Sequence, residues 1–145
     1  MLWGILAAVI SGVLMSVQGV FNTGLAKETG IWISAAFVQL TAFIVCMAAW
    51  FFTGTDSGFG ELLAVDNKYR LLGGVIGAFI TITVIKSVDQ LGPAAGITTI
   101  VIAQTTVAYL IEVFGLFGTE KVPFTWRGVI GVALAVAGVF LLNRK

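Results

Sequence analysis

The chain has 145 residues, of which 59% are hydrophobic and only 10% are charged, and its mean hydropathy is +1.06. A soluble domain of this length carries about a quarter charged residues, so the composition excludes an ordinary water-soluble fold. The net charge of +1 gives no indication of nucleic-acid binding. With no histidine and a single cysteine, Cys46, the chain is expected to have no internal disulfide, metal site or other cofactor.

Five apolar segments are long enough to cross a membrane, since a span needs about 20 mostly apolar residues. They predict an all-α membrane protein in which residues 1–145 form a single domain of five transmembrane helices. The predicted spans cover residues 2–26, 31–52, 70–87, 93–117 and 126–142. The first segment is too long for the apolar region of a signal peptide and no basic residue precedes it, so we expect it to be retained.

The tryptophans provide an independent check of these boundaries. Trp3, Trp32, Trp50 and Trp126 all fall at the ends of predicted spans. Indole rings prefer the headgroup layer of a bilayer, so this placement favours the five-span interpretation.

Polar residues on one face of the first span are the first candidate functional groups, because such groups are costly in lipid and usually face a cavity or a partner. Ser11, Gln18 and Asn22 follow at i, i+7 and i+11, which places them on a common helix face. Gln39 lies in the second span at a similar predicted depth. These amides could line a substrate cavity, or they could only bridge helices, a contact worth about 0.6 kcal/mol on average.

The fourth span carries the most unusual residue, the carboxylate of Glu112. Thr98, Thr105 and Glu112 are spaced by seven residues and therefore share nearly one face, which Gln104 flanks. A buried carboxylate there could take up a proton or attract a cation. Alternatively, Glu112 could extend towards the span end and pair with a nearby basic side chain, Lys121 or Arg127.

Small residues recur at helix-packing spacing in two spans. Gly73 and Gly77 form a GxxxG pair in the third span, and Gly131, Ala135 and Gly138 line one side of the fifth. Such residues allow close approach of two helices in lipid. Packing within one subunit and a dimer seam along the fifth helix are both consistent with this pattern.

Basic residues are balanced between the two membrane faces. In the five-span topology one face carries Lys68, Arg70, Lys121 and Arg127, and the other carries Lys27, Lys86, Arg144 and Lys145. The difference is 4 − 4 = 0, so the rule that places positive loops in the cytoplasm selects no orientation. We therefore expect insertion in both orientations and an inverted-topology (antiparallel) homodimer of ten helices.

Residues 91–94 (Leu-Gly-Pro-Ala), Gln104 and residues 112–116 (Glu-Val-Phe-Gly-Leu) form a pattern that resembles the YdcZ-like family of small bacterial membrane proteins, within the drug/metabolite transporter superfamily. Residues 18–22 and the Trp-Arg-Gly at 126–128 fit the same family. The resemblance implies five helices per subunit and paired or fused copies of opposite orientation. In that pattern Asp is the commoner acid at the position of Glu112. The first-helix carboxylate of small multidrug-resistance relatives has no counterpart here, so their cation/proton exchange mechanism does not carry over.

Together these features predict a multi-pass protein of the bacterial inner membrane, with the lipid bilayer and a second copy of itself as its partners. We expect a secondary transporter of a small metabolite or amphiphile that works by alternating access. Glu112, Gln104, Gln18, Asn22 and Gln39 are the predicted substrate or coupling residues. The rival hypothesis is a non-transporting membrane subunit that assembles with a partner protein. An enzyme is not expected, because the sequence has no nucleophile motif around serine or Cys46.

Overall fold

The structure, a computed structural model, describes residues 2–54 and 58–143, with the backbone alone for residues 142 and 143. In this part of the chain the regular structure is entirely helical, which confirms the all-α prediction. The α-helices are α1 (Leu2–Thr29), α2 (Ile31–Thr53), α3 (Gly73–Leu91), α4 (Pro93–Phe114) and α5 (Trp126–Asn143). Short 3-10 helices, η1 (Phe59–Ala64), η2 (Lys68–Leu72) and η3 (Leu116–Gly118), occupy two of the connections.

Among the described residues, four helical segments are long and apolar enough to cross a membrane: Leu2–Thr29, Ile31–Thr53, Lys68–Leu91 and Pro93–Phe114. The third comprises η2 and α3 together. The fifth helix is also apolar, but the part with described side chains, Trp126–Leu141, is shorter than the other four. Four of the predicted spans are therefore present as membrane-length helices, and the fifth remains a prediction.

Glycines with positive φ end the helices more sharply than hydropathy predicts. Gly30 has φ 87° and Gly92 has φ 81°, so each separates two helices with a single non-helical residue. Gly115, with φ 64°, caps α4 at Phe114, three residues before the predicted end of the span. Glycine adopts this region without the steric cost of a Cβ atom, which is why the turns fall at these positions.

The first compact unit comprises Met1–Lys86, and its centre is the packing of α1 against α2. Ser34, which is fully buried, donates a hydrogen bond of 3.1 Å from its hydroxyl to the backbone carbonyl of Asn22. Gly19, Thr23 and Ala35 are buried around this contact. A polar link between buried small residues is the type of contact that holds helices together in lipid, where no hydrophobic effect drives them together.

The second compact unit comprises Ser87–Lys145, in which α4 packs against α5. The ring of Tyr109 lies against the backbone of Gly128, so close that a Cβ atom at Gly128 would stand 2.5 Å from Cε2 and Cζ of the tyrosine. The phenolic hydroxyl donates to the carbonyl oxygen of Thr125 at 2.9 Å and accepts from its amide at 3.1 Å. One tyrosine therefore joins α4 to the start of α5.

Within the subunit the membrane-length helices bury little of their surface. The share of buried residues in the most apolar part of each is 6% for α1, 11% for α2, 11% for η2–α3 and 0% for α4. Water would not tolerate so much exposed apolar side chain, whereas lipid does. Most of this surface must therefore contact lipid or other helices of an assembly.

Candidate functional site

A groove between α1 and α2 contains two of the predicted site residues. It has a volume of about 650 Å³ and is referred to below as the α1–α2 groove. Its lining comprises Gln18, Phe21, Asn22 and Leu25 from α1, and Phe37, Val38, Thr41, Ala42, Val45 and Cys46 from α2.

A shallow depression on the exposed surface of α1, lined by residues of that helix alone, continues from the groove and shares Gln18, Phe21 and Asn22 with it. Ser11 lies at its lining as well. The polar face that the i, i+7, i+11 spacing predicts on the first helix therefore borders open space along its whole length.

The polar groups of the groove are neutral. Gln18 is exposed and presents a full amide, whereas Asn22 is only 8% exposed. The hydroxyl of Thr41 donates within its own helix, to the carbonyls of Phe37 and Val38 at 3.0 Å each. With no charged side chain in its lining, the groove can bind apolar surface and offer neutral hydrogen-bonding groups, but it cannot form an ion pair with a substrate.

Gln39 is not part of this groove. Its Nε2 atom lies 3.6 Å from the position that a Cβ atom on Gly77 would occupy, so the amide lies against α3. The groove face of α2 carries Val38 and Thr41, and Gln39 points about 100° away from Val38 around the helix. The predicted grouping with Gln18 compared only depth along the helices and not direction around them.

Of the two glycines predicted to pack as a GxxxG pair, Gly77 meets Gln39, whereas Gly73 has no described atom within 4 Å of its Cβ position. On α5, the same is true of Gly131 and Gly138. The close approach on α5 is made at Gly128, which was not one of the predicted packing residues. The stripe of Gly131, Ala135 and Gly138 is thus available for contact with groups other than the described residues of the subunit.

Glu112 and Gln104 both have exposed side chains on α4. The Thr105 hydroxyl on the same face donates to the carbonyl of Val101 at 2.8 Å, and the Thr98 hydroxyl donates to the carbonyl of Ala94. Both threonines thus satisfy their hydrogen bonds locally. On this face the carboxylate and the amide are the exposed groups left to contact a substrate or another subunit.

The backbone around Glu112 anchors the connection that follows α4. Its carbonyl accepts hydrogen bonds from the amides of Gly115 at 3.3 Å and Val122 at 3.0 Å. The chain after α4 therefore folds back onto the helix end, and the position of Glu112 is fixed by the backbone as well as by the helix.

Sequence reasoning missed the aromatic part of the groove. Phe21 lies three residues after Gln18, and Phe37 lies four residues before Thr41, so each shares a helix face with a polar lining residue. That spacing was the available signal. Among the described residues, no three histidine, cysteine or acidic side chains are close enough together to hold a metal ion.

A curated protein resembles this chain over nearly its whole length. The "Inner membrane protein YdcZ" of Escherichia coli (strain K12) is 24% identical over 139 residues, which cover 94% of this chain and 92% of that protein. No solved structure gives a significant match.

The family described as "Putative inner membrane exporter, YdcZ" matches residues 3–141. This match agrees with the membrane-length helices and establishes a multi-pass protein of the bacterial inner membrane. It also confirms the family that the sequence pattern indicated. The chain belongs to the YdcZ-like family of bacterial inner membrane proteins.

Proposed function

We propose that this protein is a secondary transporter that exports a small compound with an apolar body and an uncharged polar group across the inner membrane. The single observation that carries the proposal is the α1–α2 groove, in which the amides of Gln18 and Asn22 stand among aromatic and aliphatic side chains. The family description as an exporter supports both the transport function and its direction.

The groove has the size and chemistry of a small-molecule site. Its volume of about 650 Å³ lies within the range of roughly 300–1,000 Å³ that is usual for such sites, and most of its lining is apolar. Phe21 and Phe37 can contact a ring or chain, while Gln18 supplies a hydrogen-bond donor and an acceptor. A small metabolite or amphiphile with a neutral polar group fits this combination.

We further propose that the working form is an inverted homodimer. Glu112 and Gln104 are exposed on a helix that buries none of its apolar window within the subunit. A carboxylate in contact with lipid is costly, so a second copy would be expected to cover this face. In an inverted copy, Glu112 would lie in the same half of the membrane as Gln18 and Asn22, where its carboxylate could take part in the coupling of alternating access.

The first test compares exported compounds. Cells that overproduce the native protein and cells that overproduce the Gln18→Ala/Asn22→Ala double variant are grown in parallel, and their media are compared by untargeted mass spectrometry. We expect one or a few compounds to be at least several-fold more abundant outside cells with the native protein. A Gln90→Ala variant is the matched control, because this exposed amide lies near the end of α3 and outside the groove.

The rival function, a membrane subunit that acts only with a partner protein, is favoured by the low burial of the helices, which any covering protein would explain. Reconstitution separates the two. The compound identified in the medium is loaded into liposomes that contain this chain alone, and its release is followed. Release requires a transporter, whereas a chain that assembles but releases nothing supports the accessory role and contradicts our proposal.

A further inference from the structure

A second cavity lies beside the groove, between the C-terminal half of α2 and η1. It has a volume of about 340 Å³ and is called the α2–η1 cavity here. Its lining is Phe43, Cys46, Met47 and Trp50 from α2, together with Gly58, Phe59 and Leu62. The Trp50 and Phe59 rings meet edge to face at 5.9 Å, which fixes η1 against α2.

This cavity is suited to a hydrocarbon chain. Apart from the indole N–H of Trp50 and the weakly polar thiol of Cys46, its side chains offer no hydrogen-bonding group. A polar ligand group placed inside would lose its hydrogen bonds to water without gaining others, and apolar walls also hold no ordered water. Only an apolar part of a ligand would be retained.

The direction of the cavity matches that of a lipid tail. Trp50 lies three residues before the end of α2, at the depth where indoles mark the headgroup layer. Phe43 lies seven residues further into the span, which is roughly 10 Å at 1.5 Å per residue. The cavity therefore runs from the headgroup layer towards the membrane centre.

A basic group lies near one end of the lining, at η1. The Lys68 ammonium donates to the carbonyl of Leu63 at 3.3 Å, next to the lining residue Leu62. A polar headgroup could thus remain in the interfacial layer beside η1 while its tail occupies the cavity.

We propose that the α2–η1 cavity binds the tail of a single-chain amphiphile dissolved in the bilayer. Its small volume favours one chain over the two of a phospholipid. Cys46 lines both this cavity and the α1–α2 groove, so the bound tail lies directly beside the groove. The proposal concerns binding alone and holds whether or not the groove transports a substrate.

Photolabelling tests the proposal on the whole purified protein in phosphatidylcholine liposomes. The probe is a lysophosphatidylcholine with a diazirine in its tail, and labelled peptides are located by mass spectrometry. We expect labelling to concentrate in residues 43–50 and 58–62 and to fall at least five-fold with excess unlabelled lysophosphatidylcholine. Labelling spread evenly over exposed apolar residues such as Leu134 and Phe140 would overturn the proposal.

A matched pair of variants locates the site. Leu62→Trp fills the cavity, whereas Leu63→Trp adds the same ring to the neighbouring residue, which is 79% exposed and does not line the cavity. We expect a several-fold loss of labelling at residues 43–50 in the first variant only. Equal loss in both variants would mean that any disturbance of η1 removes labelling, and this result contradicts a binding site at Leu62.

If Leu62→Trp does not fold, Met47→Trp with Ala48→Trp as its control repeats the comparison on α2, because Met47 lines the cavity and Ala48 does not. A diazirine phospholipid with two chains distinguishes the source of the tail. If it labels residues 43–50 as strongly as the single-chain probe does, the cavity accepts bilayer lipid in general and the single-chain assignment is wrong.

Discussion

At the scale of single residues, two glutamines with the same chemistry have different surroundings. Gln18 borders the groove, whereas Gln39 lies against the backbone of Gly77 on α3. A side chain beside a cavity can act on a substrate without contributing much to stability. A side chain between helices contributes to packing, at about 0.6 kcal/mol for an average polar contact in a membrane.

We therefore predict opposite effects for two alanine substitutions. Gln18→Ala should reduce export at least ten-fold and leave the thermal unfolding temperature in detergent nearly unchanged. Gln39→Ala should lower the unfolding temperature by a small but measurable amount and leave most of the export activity. Export of the compound found in the medium and unfolding of the purified protein are the two measurements. Equal activity in both variants would contradict the assignment of Gln18 to the substrate groove.

A second prediction concerns the charge of Glu112. Glu112→Gln keeps the shape of the side chain and removes its negative charge. It should therefore abolish coupled export, while the protein still assembles in the membrane. Glu112→Asp, which restores the acid that is commoner in the family pattern, should retain activity. Glu120→Gln is the control, since this exposed acid follows α4 in the connection to α5. Unchanged export in Glu112→Gln would exclude a coupling role for the carboxylate.

At the scale of elements, one tyrosine links α4 to the start of α5. Tyr109 combines a ring packed on Gly128 with two hydrogen bonds to the backbone of Thr125. Tyr109→Phe keeps the ring and removes the hydrogen bonds, each worth about 0.5–1.5 kcal/mol. We expect a lower unfolding temperature, measured on the purified protein in detergent. An unchanged temperature would mean that the hydrogen bonds add nothing to the packing of the ring.

The ring contact itself is tested by adding one methyl group to α5. Gly128→Ala places a Cβ atom where the Tyr109 ring lies, so the ring must move and its contacts with Gly128 and Thr125 are disturbed. Gly131→Ala adds the same methyl group where no described atom lies within 4 Å. We expect a clear loss of stability in Gly128→Ala and little change in Gly131→Ala. The measurement is thermal unfolding of each purified variant in detergent.

At the scale of the whole molecule, the balanced basic residues predict two membrane orientations. A single cysteine added at the C-terminus, in a Cys46→Ser background, should react with an impermeant reagent in about half of the molecules in intact cells. Half labelling follows from a Lys/Arg difference of 4 − 4 = 0 between the two faces. Labelling of all or none of the protein would establish one orientation and rule out the inverted homodimer.

Exposed small residues on α5 offer a further prediction about assembly. Gly131→Leu and Gly138→Leu place bulky side chains on a stripe with no close contact in the described subunit. If this stripe is the dimer seam, both variants should shift the purified protein from dimer to monomer in cross-linking or light scattering. If the fraction of dimer is unchanged in both variants, the interface lies elsewhere. Leu134→Ala, on an exposed position of the same helix, controls for loss of apolar area.

The sequence by itself determined the class of the protein, its environment and most of its helix boundaries. A segment of about twenty mostly apolar residues is expected to form a helix in lipid, because a helix satisfies the backbone hydrogen bonds within the segment itself. Regular spacing also identified the polar face at Ser11, Gln18 and Asn22, and the resemblance to a known family was visible in the residues around Gln104 and Glu112. Each of these features depends on residues close together in the chain, so no knowledge of packing was needed.

Only the tertiary structure decided which side of each helix meets a neighbour. Gln39 and Gln18 have similar depths in the sequence-based topology, and only packing separates them by placing α3 against one and open space beside the other. Similarly, many glycines in the spans could allow close approach, but the position of the Tyr109 ring selects Gly128. Which face of a helix packs against a neighbour depends on contacts between residues that are far apart in the chain. The local spacing of residues defines the faces of a helix but does not indicate which neighbouring helix each face will contact.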